Sequence, residues 1–256
     1  MKPERNRDSQ IFFGCVNYNS ADEVQNYYNS ISLNVENFQF VVADAYHSEA
    51  AREEINIVAK RNNFQIFEVE NLGYSHGLNR LIELALMTNA QLFVVGNSDL
   101  LLASKFPRLS PQSKAYMPTL VEGRRNRNPF LNILQSKYLR LHYLAARYNL
   151  FWLFYVNLAA LKVLGLLPAR PWTCHGSLFI MDRSIANAKI FNENTFLYSE
   201  ELEFGSYLSK NGYPLEAIDL RVLHDAHVST GSTTKNKKKF FKIWRTGFLN
   251  WWFRYE

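Results

Sequence analysis

Cysteine is nearly missing: the 256 residues hold two, Cys15 and Cys174. Two distant thiols make neither a disulfide framework nor a zinc-ligand spacing. They read as plain buried residues of a reducing compartment. Long apolar runs are missing too. The longest uncharged one, "YNLFWLFYVNLAAL" (148–161), falls short of the ~20 residues a spanning helix needs. It suits a buried helix or one lying in a membrane interface. The N-terminal "MKPERNRDSQ" is charged and precedes no apolar core of signal-peptide length. The reading is therefore a cytoplasmic chain. Acid is locally scarce. Residues 105–147 carry nine basic side chains against Glu122 alone, and the tail after Gly231 carries seven against Glu256. Such patches suit phosphates, lipid head groups or nucleic acid. No nucleic-acid module is visible, so nucleic acid is not an expected partner. No repeat and no low-complexity linker interrupts the chain.

What is present is a core. With 47% hydrophobic residues, disorder is excluded as a description of the whole. The first hundred residues alternate between two periods. "IFFGCVN" (11–17), "FQFVVAD" (38–44), "FQIFEVE" (64–70) and "QLFVV" (91–95) read as strands. Between them, Ser20 and Glu23 predict a capping box at a helix start. "SEAAREEINIVAKRN" (48–62) predicts a helix with an acidic beginning and a basic end. Leu78, Leu81, Ile82 and Ala85 mark one helical face. Strand–helix alternation predicts an α/β fold, a mostly parallel sheet with helices on both faces. Beyond Leu102 the pattern breaks into loops around a short strand, "KAYMPTLVE". A Leu- and aromatic-rich stretch, 131–167, reads as helical. "GSLFIMD" (176–182) reads as a strand, 199–212 as a helix ended by Gly212, and "PLEAIDLRVLH" as a last strand.

Ligands gather at the carboxyl ends of parallel strands, and polar residues collect there. Strand one ends in Asn17-Tyr18-Asn19 and strand two in Asp44. Strand three leads into "NLGYSHGLN", with Asn71, Gly73, Gly77 and Asn79. Strand four ends in Asn97-Ser98-Asp99. Asp99 alone reads as an ordinary turn. Asp44 alone reads as a cap for the helix near Ser48, or as an acceptor for a base or ribose. Glycines opening a helix let amides approach a pyrophosphate, though glycines open many helices. The acids of "YSEELEF" (198–204) repel one another, so at least one suits a general base. The plainer reading is a solvated helix start. His224 follows Glu203 by 21 residues.

In this order, "VNYNS", "VVADAYHSEA", "NLGYSHGLN", "VVGNSDLLL", "CHGSLFIMDRS", "FLYSEELEF" and "VLHDAHVST" resemble the inverting family-2 glycosyltransferases of the GT-A fold. They are most similar to the bacterial branch that builds surface polysaccharides, which includes rhamnosyltransferases. The resemblance implies a donor site at Asn17, Asn19, Asp44, Asn71, Gly77, Asn79 and Asn97. It implies a Mg²⁺ or Mn²⁺ held through Asp99 and His224, an acceptor wall at His175, Gly176 and Ser177, and a base at Glu201 beside Glu200. The donor would be dTDP-rhamnose or a UDP-sugar. The acceptor would be a hydroxyl of a glycan or lipid-linked glycan. Residues 1–103 would form the nucleotide-sugar half and 104–231 the acceptor half of one domain, followed by a basic aromatic helix, 232–256.

Two residues depart from the family pattern. Asn97 replaces the first acid of the metal motif, offering a carbonyl oxygen without charge. Glu201 replaces an Asp, moving the carboxylate by roughly 1.5 Å, with Glu203 in reserve. Asn97 is what keeps a second reading open, a non-catalytic nucleotide-sugar-binding or scaffold protein of the same fold. A nucleotidyltransferase would need a basic phosphate-gripping loop after strand one, where "VNYNSADE" is acidic instead. In the tail, Phe240, Trp244, Phe248 and Trp251 or Trp252 share a helical face. That predicts either a helix on anionic lipid at the inner face of the plasma membrane or a terminal helix packed on the domain.

Overall fold

Seven elements follow one another in the expected alternation: Ile11–Asn17 (β1), Ala21–Asn34 (α1), Phe38–Asp44 (β2), Glu49–Asn62 (α2), Gln65–Glu68 (β3), Tyr74–Leu86 (α3) and Leu92–Asn97 (β4). The second half adds Leu100–Leu102 (β5), Ala115–Glu122 (β6), Arg125–Asn126 (β7), Leu139–Arg147 (α4), Leu178–Asp182 (β8), Glu200–Asn211 (α5), Leu215–His224 (β9) and Lys237–Tyr255 (α6). The structure is a computed structural model. It describes residues 11–110, 112–128, 139–150, 152–153, 156, 159–160, 163–165, 171–194, 196–224 and 237–255. Much of the predicted helical stretch 131–167, and "VLHDAHVST" beyond His224, lie outside the described residues.

One sheet of nine strands runs through both halves in the order β3-β2-β1-β4-β8-β6-β9-β5, with β7 beside β6. From β3 to β4 it is parallel. β8 joins β4 antiparallel, β6 joins β8 antiparallel and β9 joins β6 parallel. Alternate side chains feed two cores, as the period of two requires. Phe12, Val41, Phe93, Ala115 and Phe179 face α3 and α5. Phe13, Phe40, Val42, Val94, Tyr116 and Ile180 face α1 and α2. Both cysteines are buried and free.

The far edge curls back. The backbone amide of Leu102 in β5 donates to Ser30 Oγ on α1 at 3.0 Å, and Asn34 Nδ2 donates to its carbonyl at 3.0 Å. The edge strand is thereby covered rather than left open for pairing.

Two local expectations meet different outcomes. Ser48 caps α2 by accepting from the Ala51 amide. The capping box at Ser20 does not form, because the Ser20 side chain makes no cap bond and donates instead to the Tyr18 carbonyl. Its partner Glu23 turns to Ser98 on the β4–β5 turn, 3.5 Å away. A tertiary partner has displaced the local one.

The C-terminal helix packs on the domain. Phe248 and Trp251 are buried with Leu202 of α5 and Ala146 of α4. Trp251 Nε1 donates to Ser206 Oγ at 2.7 Å. Arg245 caps α4 by donating to the carbonyls of Ala146 and Arg147, where a cation suits the helix dipole. Of the expected aromatic face, Trp244, Phe248, Trp251 and Trp252 pack on the domain, the second of the two expectations, and the Phe240 side chain lies outside the described residues. Among the described residues, no helix is long and apolar enough to cross a membrane.

Candidate functional site

Strand order converts the scattered polar strand ends into one rim. Asp44, Asn17 and Asn97 end β2, β1 and β4, which are neighbours, and Asn17 is in register with Asp44. Asn97 N donates to Ser177 O at 2.9 Å, which continues the rim to the start of β8.

Asn17 and Asp44 are both buried, and Asn17 Nδ2 donates to Asp44 Oδ1 at 2.8 Å. Burial raises the Asp44 pKa, opposed by that bond. Asp44 Oδ2 is buried without a hydrogen-bond partner, an acceptor that a ligand N–H or O–H could satisfy. Asn19, in a left-handed conformation with φ 56°, accepts from the His47 amide at 2.8 Å and fixes the β1–α1 turn.

The "NLGYSHGLN" turn divides by role. Asn71 is exposed. Gly73 has φ 114°, and a Cβ there would strike the Phe196 carbonyl, so only glycine fits. Gly77 lies inside α3, where a Cβ would sit 2.8 Å from both Val16 methyls. It permits close helix–strand packing. Asn79 clamps the 191–193 loop: Nδ2 donates to Phe191 O and Glu193 Oε1, and Oδ1 accepts from Phe191 N. With both amide protons occupied, Asn79 is placed as a structural clamp.

The β4–β5 turn carries the second cluster. β5 leaves the sheet centre and pairs with β9, with Leu100 opposite His224. That register, not sequence proximity, brings Asp99 to His224: Oδ1 and Nε2 lie 3.3 Å apart, both side chains almost wholly buried. Asn97 Nδ2 lies 3.4 Å from the same His224 nitrogen, and the other nitrogen, Nδ1, is buried without a partner. Adjacent ligand atoms of an octahedral cation with 2.0–2.1 Å bonds are separated by about 3 Å. Asp99 and His224 therefore fit two positions of such an ion. Among the described residues no group of three or more His, Cys, Asp or Glu could hold a metal, so the remaining ligands would be oxygens from elsewhere. His175 packs on His224 with ring centroids 5.6 Å apart. Burial, His224 and Arg127 push its pKa down to about 3, so the ring is neutral and pairs with Ser177 Oγ at 3.0 Å.

The acids open α5. Tyr198 and Ser199, neither a glycine, have φ 67° and φ 112°. Such strain persists only where the surroundings over-determine it. It sets the first turn of α5 against β8. Glu201 Oε2 comes so close to Gly176 that a Cβ there would be 2.7 Å from it. Thr173 Oγ1 donates to the Glu201 carbonyl at 2.6 Å. Burial pushes the Glu201 carboxyl up to about 6, while backbone amides at Glu201 and Ser199 pull it back. Burial and the Glu201 charge push Glu200 up to about 8, with Ser75 Oγ donating to it at 3.2 Å. Glu203 points elsewhere, to Arg254 of α6 at 3.4 Å. Ser75, Thr173, Tyr74 (whose hydroxyl donates to Gly176 O) and Asn128 (whose Oδ1 accepts from His175 N) support the site. They were missed because only tertiary contacts reveal them.

Glu200→Gln is expected to stabilise the fold above neutral pH. A folded pKa near 8 against about 4.5 unfolded means the native state holds the extra proton between those values. Stability therefore falls as pH rises through that window. A glutamine removes the penalty, so the urea midpoint at pH 8 should rise by the equivalent of about 1–3 kcal/mol, with little change at pH 4.5. No pH-dependent difference would reject a buried, proton-holding Glu200.

No family model matches the sequence, and no curated protein matches it. Solved structures do. Staphylococcus aureus TarS superposes with a TM-score of 0.53 at 11% identity, covering 85% of this chain and 37% of that one. GalNAc-T7, solved with UDP, GalNAc and Mn²⁺, gives 0.58 at 10% identity over 90% and 46%. The mannosyltransferase PcManGT of Pyrobaculum calidifontis, in complex with GDP-Man and Mn²⁺, gives 0.53 at 12% over 95% and 65%. The chain thus spans between about a third and two thirds of these proteins. At such identities the likeness is one of fold, and the fold is GT-A.

Proposed function

We propose that the protein is an inverting, family-2-like glycosyltransferase. It moves a sugar from a nucleoside diphosphate, dTDP-rhamnose or a UDP-sugar, to a hydroxyl of a glycan or lipid-linked glycan. The observation that carries this reading is Glu201. It is a nearly buried carboxylate with a raised pKa, held against Gly176 by strained backbone, on the same rim as Asp44 and the Asp99–His224 corner. Asp44 Oδ2 would accept a hydrogen bond from base or ribose, with Asn17 holding the carboxylate in place. Glu201 would take the proton of the acceptor hydroxyl, whose oxygen attacks the anomeric carbon opposite the departing nucleoside diphosphate and inverts the centre. Asp99 and His224 would hold Mn²⁺ or Mg²⁺, which offsets charge on the leaving diphosphate. Two of the similar structures carry Mn²⁺ with UDP or GDP-Man, which supports the reading.

The test is a thermal-shift panel of UDP-, dTDP- and GDP-sugars with and without Mn²⁺. A cognate donor at 100 times its Kd adds about 2.7 kcal/mol, which at this size moves Tm by roughly 5–10 °C. The shift should depend on metal and on the base. A panel without any metal-dependent shift would overturn the proposal. Asn97, uncharged where a carboxylate would bind metal more strongly, favours the second reading, a non-catalytic binder. Metal-dependent release of free sugar from the stabilising donor without acceptor would decide for the enzyme.

A further inference from the structure

A basic lip stands at the acceptor end of the rim. β6 and β9 run parallel with Val121 opposite Leu223, so β6 leaves the sheet where β9 reaches His224. There the chain turns through Gly123 and Arg124 into β7, which pairs back with Glu122 opposite Arg125 and Val121 opposite Asn126. Gly123 takes φ 59°, and a Cβ there would meet nothing within 4 Å. Residues 123–127 are all exposed, so the turn projects from the domain. Directly opposite residues share a face of a hairpin, and so do residues two apart. Glu122, Arg125 and Arg127 therefore lie on one face, in keeping with the Arg127–Glu122 ion pair. Among the described residues, neither Arg124 nor Arg125 has an ion-pair partner. The next acid in the sequence after Glu122 is Asp182.

The hairpin is tied to the site. Asn126 Oδ1 accepts from the Leu120 and Asn128 amides at 3.2 and 3.0 Å. Asn128 is buried, donates to the Pro118 carbonyl at 2.9 Å and accepts from His175 N at 2.8 Å. The Arg127 charge is felt at the His175 ring, where it helps to keep the imidazole neutral. His175 precedes Gly176, against which Glu201 Oε2 lies. The arginines thus stand on the side from which an acceptor hydroxyl would approach Glu201. The end of the rim that suits a base or ribose is remote. Asp44 of β2 is four strands from β6 in the sheet, roughly 19 Å at the usual spacing. A guanidinium grips phosphate through paired N–H donors and keeps its charge at any working pH. A neutral hydroxyl would leave that charge unmatched. We propose that Arg125 and Arg127 of the β6–β7 hairpin bind a phosphate group carried by the acceptor, so that the accepting hydroxyl belongs to a phosphate ester. That the phosphate belongs to an acceptor rests on the glycosyltransferase reading. The phosphate site itself rests on the hairpin alone.

The test is a titration of the full chain with sn-glycerol 3-phosphate and with glycerol, followed by the arginine Nε–Hε NMR signals. A parallel arm floats the chain with phosphatidic acid–phosphatidylcholine vesicles and with pure phosphatidylcholine vesicles. The phosphate ester should move the Arg125 and Arg127 signals saturably, and glycerol should not. Binding should weaken between about 0.1 M and 1 M salt, where the screening length falls from about 10 to 3 Å. Arg125→Gln with Arg127→Gln should raise the Kd by about tenfold or more. Arg125→Gln alone, at an exposed residue outside the ion pair, should raise it severalfold with Tm as in the parent. A response to the soluble ester assigns the phosphate to a soluble acceptor, and a response to the phosphatidic acid vesicles alone assigns it to a lipid head group. The inference fails if neither phosphate probe binds through these arginines, even where a metal-dependent donor shift upholds the glycosyltransferase reading. Phosphate binding without any donor shift would overturn that reading and uphold the phosphate site. If the double variant instead loses the donor shift, the arginines hold the donor's diphosphate and the inference fails.

Discussion

Under the proposed function, Glu201→Gln should lower the rate of sugar transfer by about 10²–10⁴-fold and leave donor affinity unchanged. Glutamine keeps the size and the acceptor oxygen of the side chain but cannot take a proton. Because the carboxylate lies against Gly176 and its backbone is tied to Thr173, the amide would occupy the same space. The loss would therefore be chemical and fall on kcat. The pH profile supplies a second signature. A carboxyl pushed up to about 6 is the active base only when deprotonated, so the parent rate should climb through that pH. Residual activity of the variant should lack this limb. Glu203 is poorly suited as a substitute base, since it faces Arg254 on the other side of α5. A Glu201→Gln enzyme with full rate, together with a dead Glu203→Gln enzyme, would move the base to that side.

The alternation of periods two and 3.6 made the first half of the fold legible, because each helix and strand there buries its own face. The rim was legible for the same reason: once strands are in order, their polar ends must lie side by side. The meeting of Asp99 with His224 was not. It depends on β5 pairing with β9, across 125 residues of sequence, and no local pattern encodes that register. Nor could sequence tell that Asn79 serves the 191–193 loop, or that Gly77 is small because Val16 lies under it. The same glycine and asparagine suit a phosphate cradle and a packing contact equally well. The capping box failed for a related reason. Glu23 has a partner at Ser98 that only tertiary structure provides. In the tail, hydrophobic patterning identified the apolar face of α6 but not what covers it, and Leu202 with Trp172 turned out to do so.

Asp99→Ala should abolish the part of donor binding that depends on Mn²⁺, weakening it by at least about 10²-fold, since a bound cation contributes several kcal/mol to holding and neutralising the diphosphate. The geometry makes the effect large. With Asn97 uncharged, Asp99 is the sole carboxylate of the β4–β5 turn, and its Oδ1 lies 3.3 Å from His224 Nε2. Removing it leaves one imidazole and one amide, a donor set without charge for a hard cation. Titration calorimetry of the nucleoside diphosphate with and without Mn²⁺ separates the contributions. In the parent the metal should tighten binding strongly. In the variant both titrations should give the parent's metal-free affinity, because Asp44 and Asn17 at the far end of the rim are untouched. His224→Ala, which spares the carboxylate, should lose less. If Asp99→Ala kept the full metal dependence, the cation would have to be held elsewhere, and the Asp99–His224 pair would be a structural contact between the β4–β5 turn and β9.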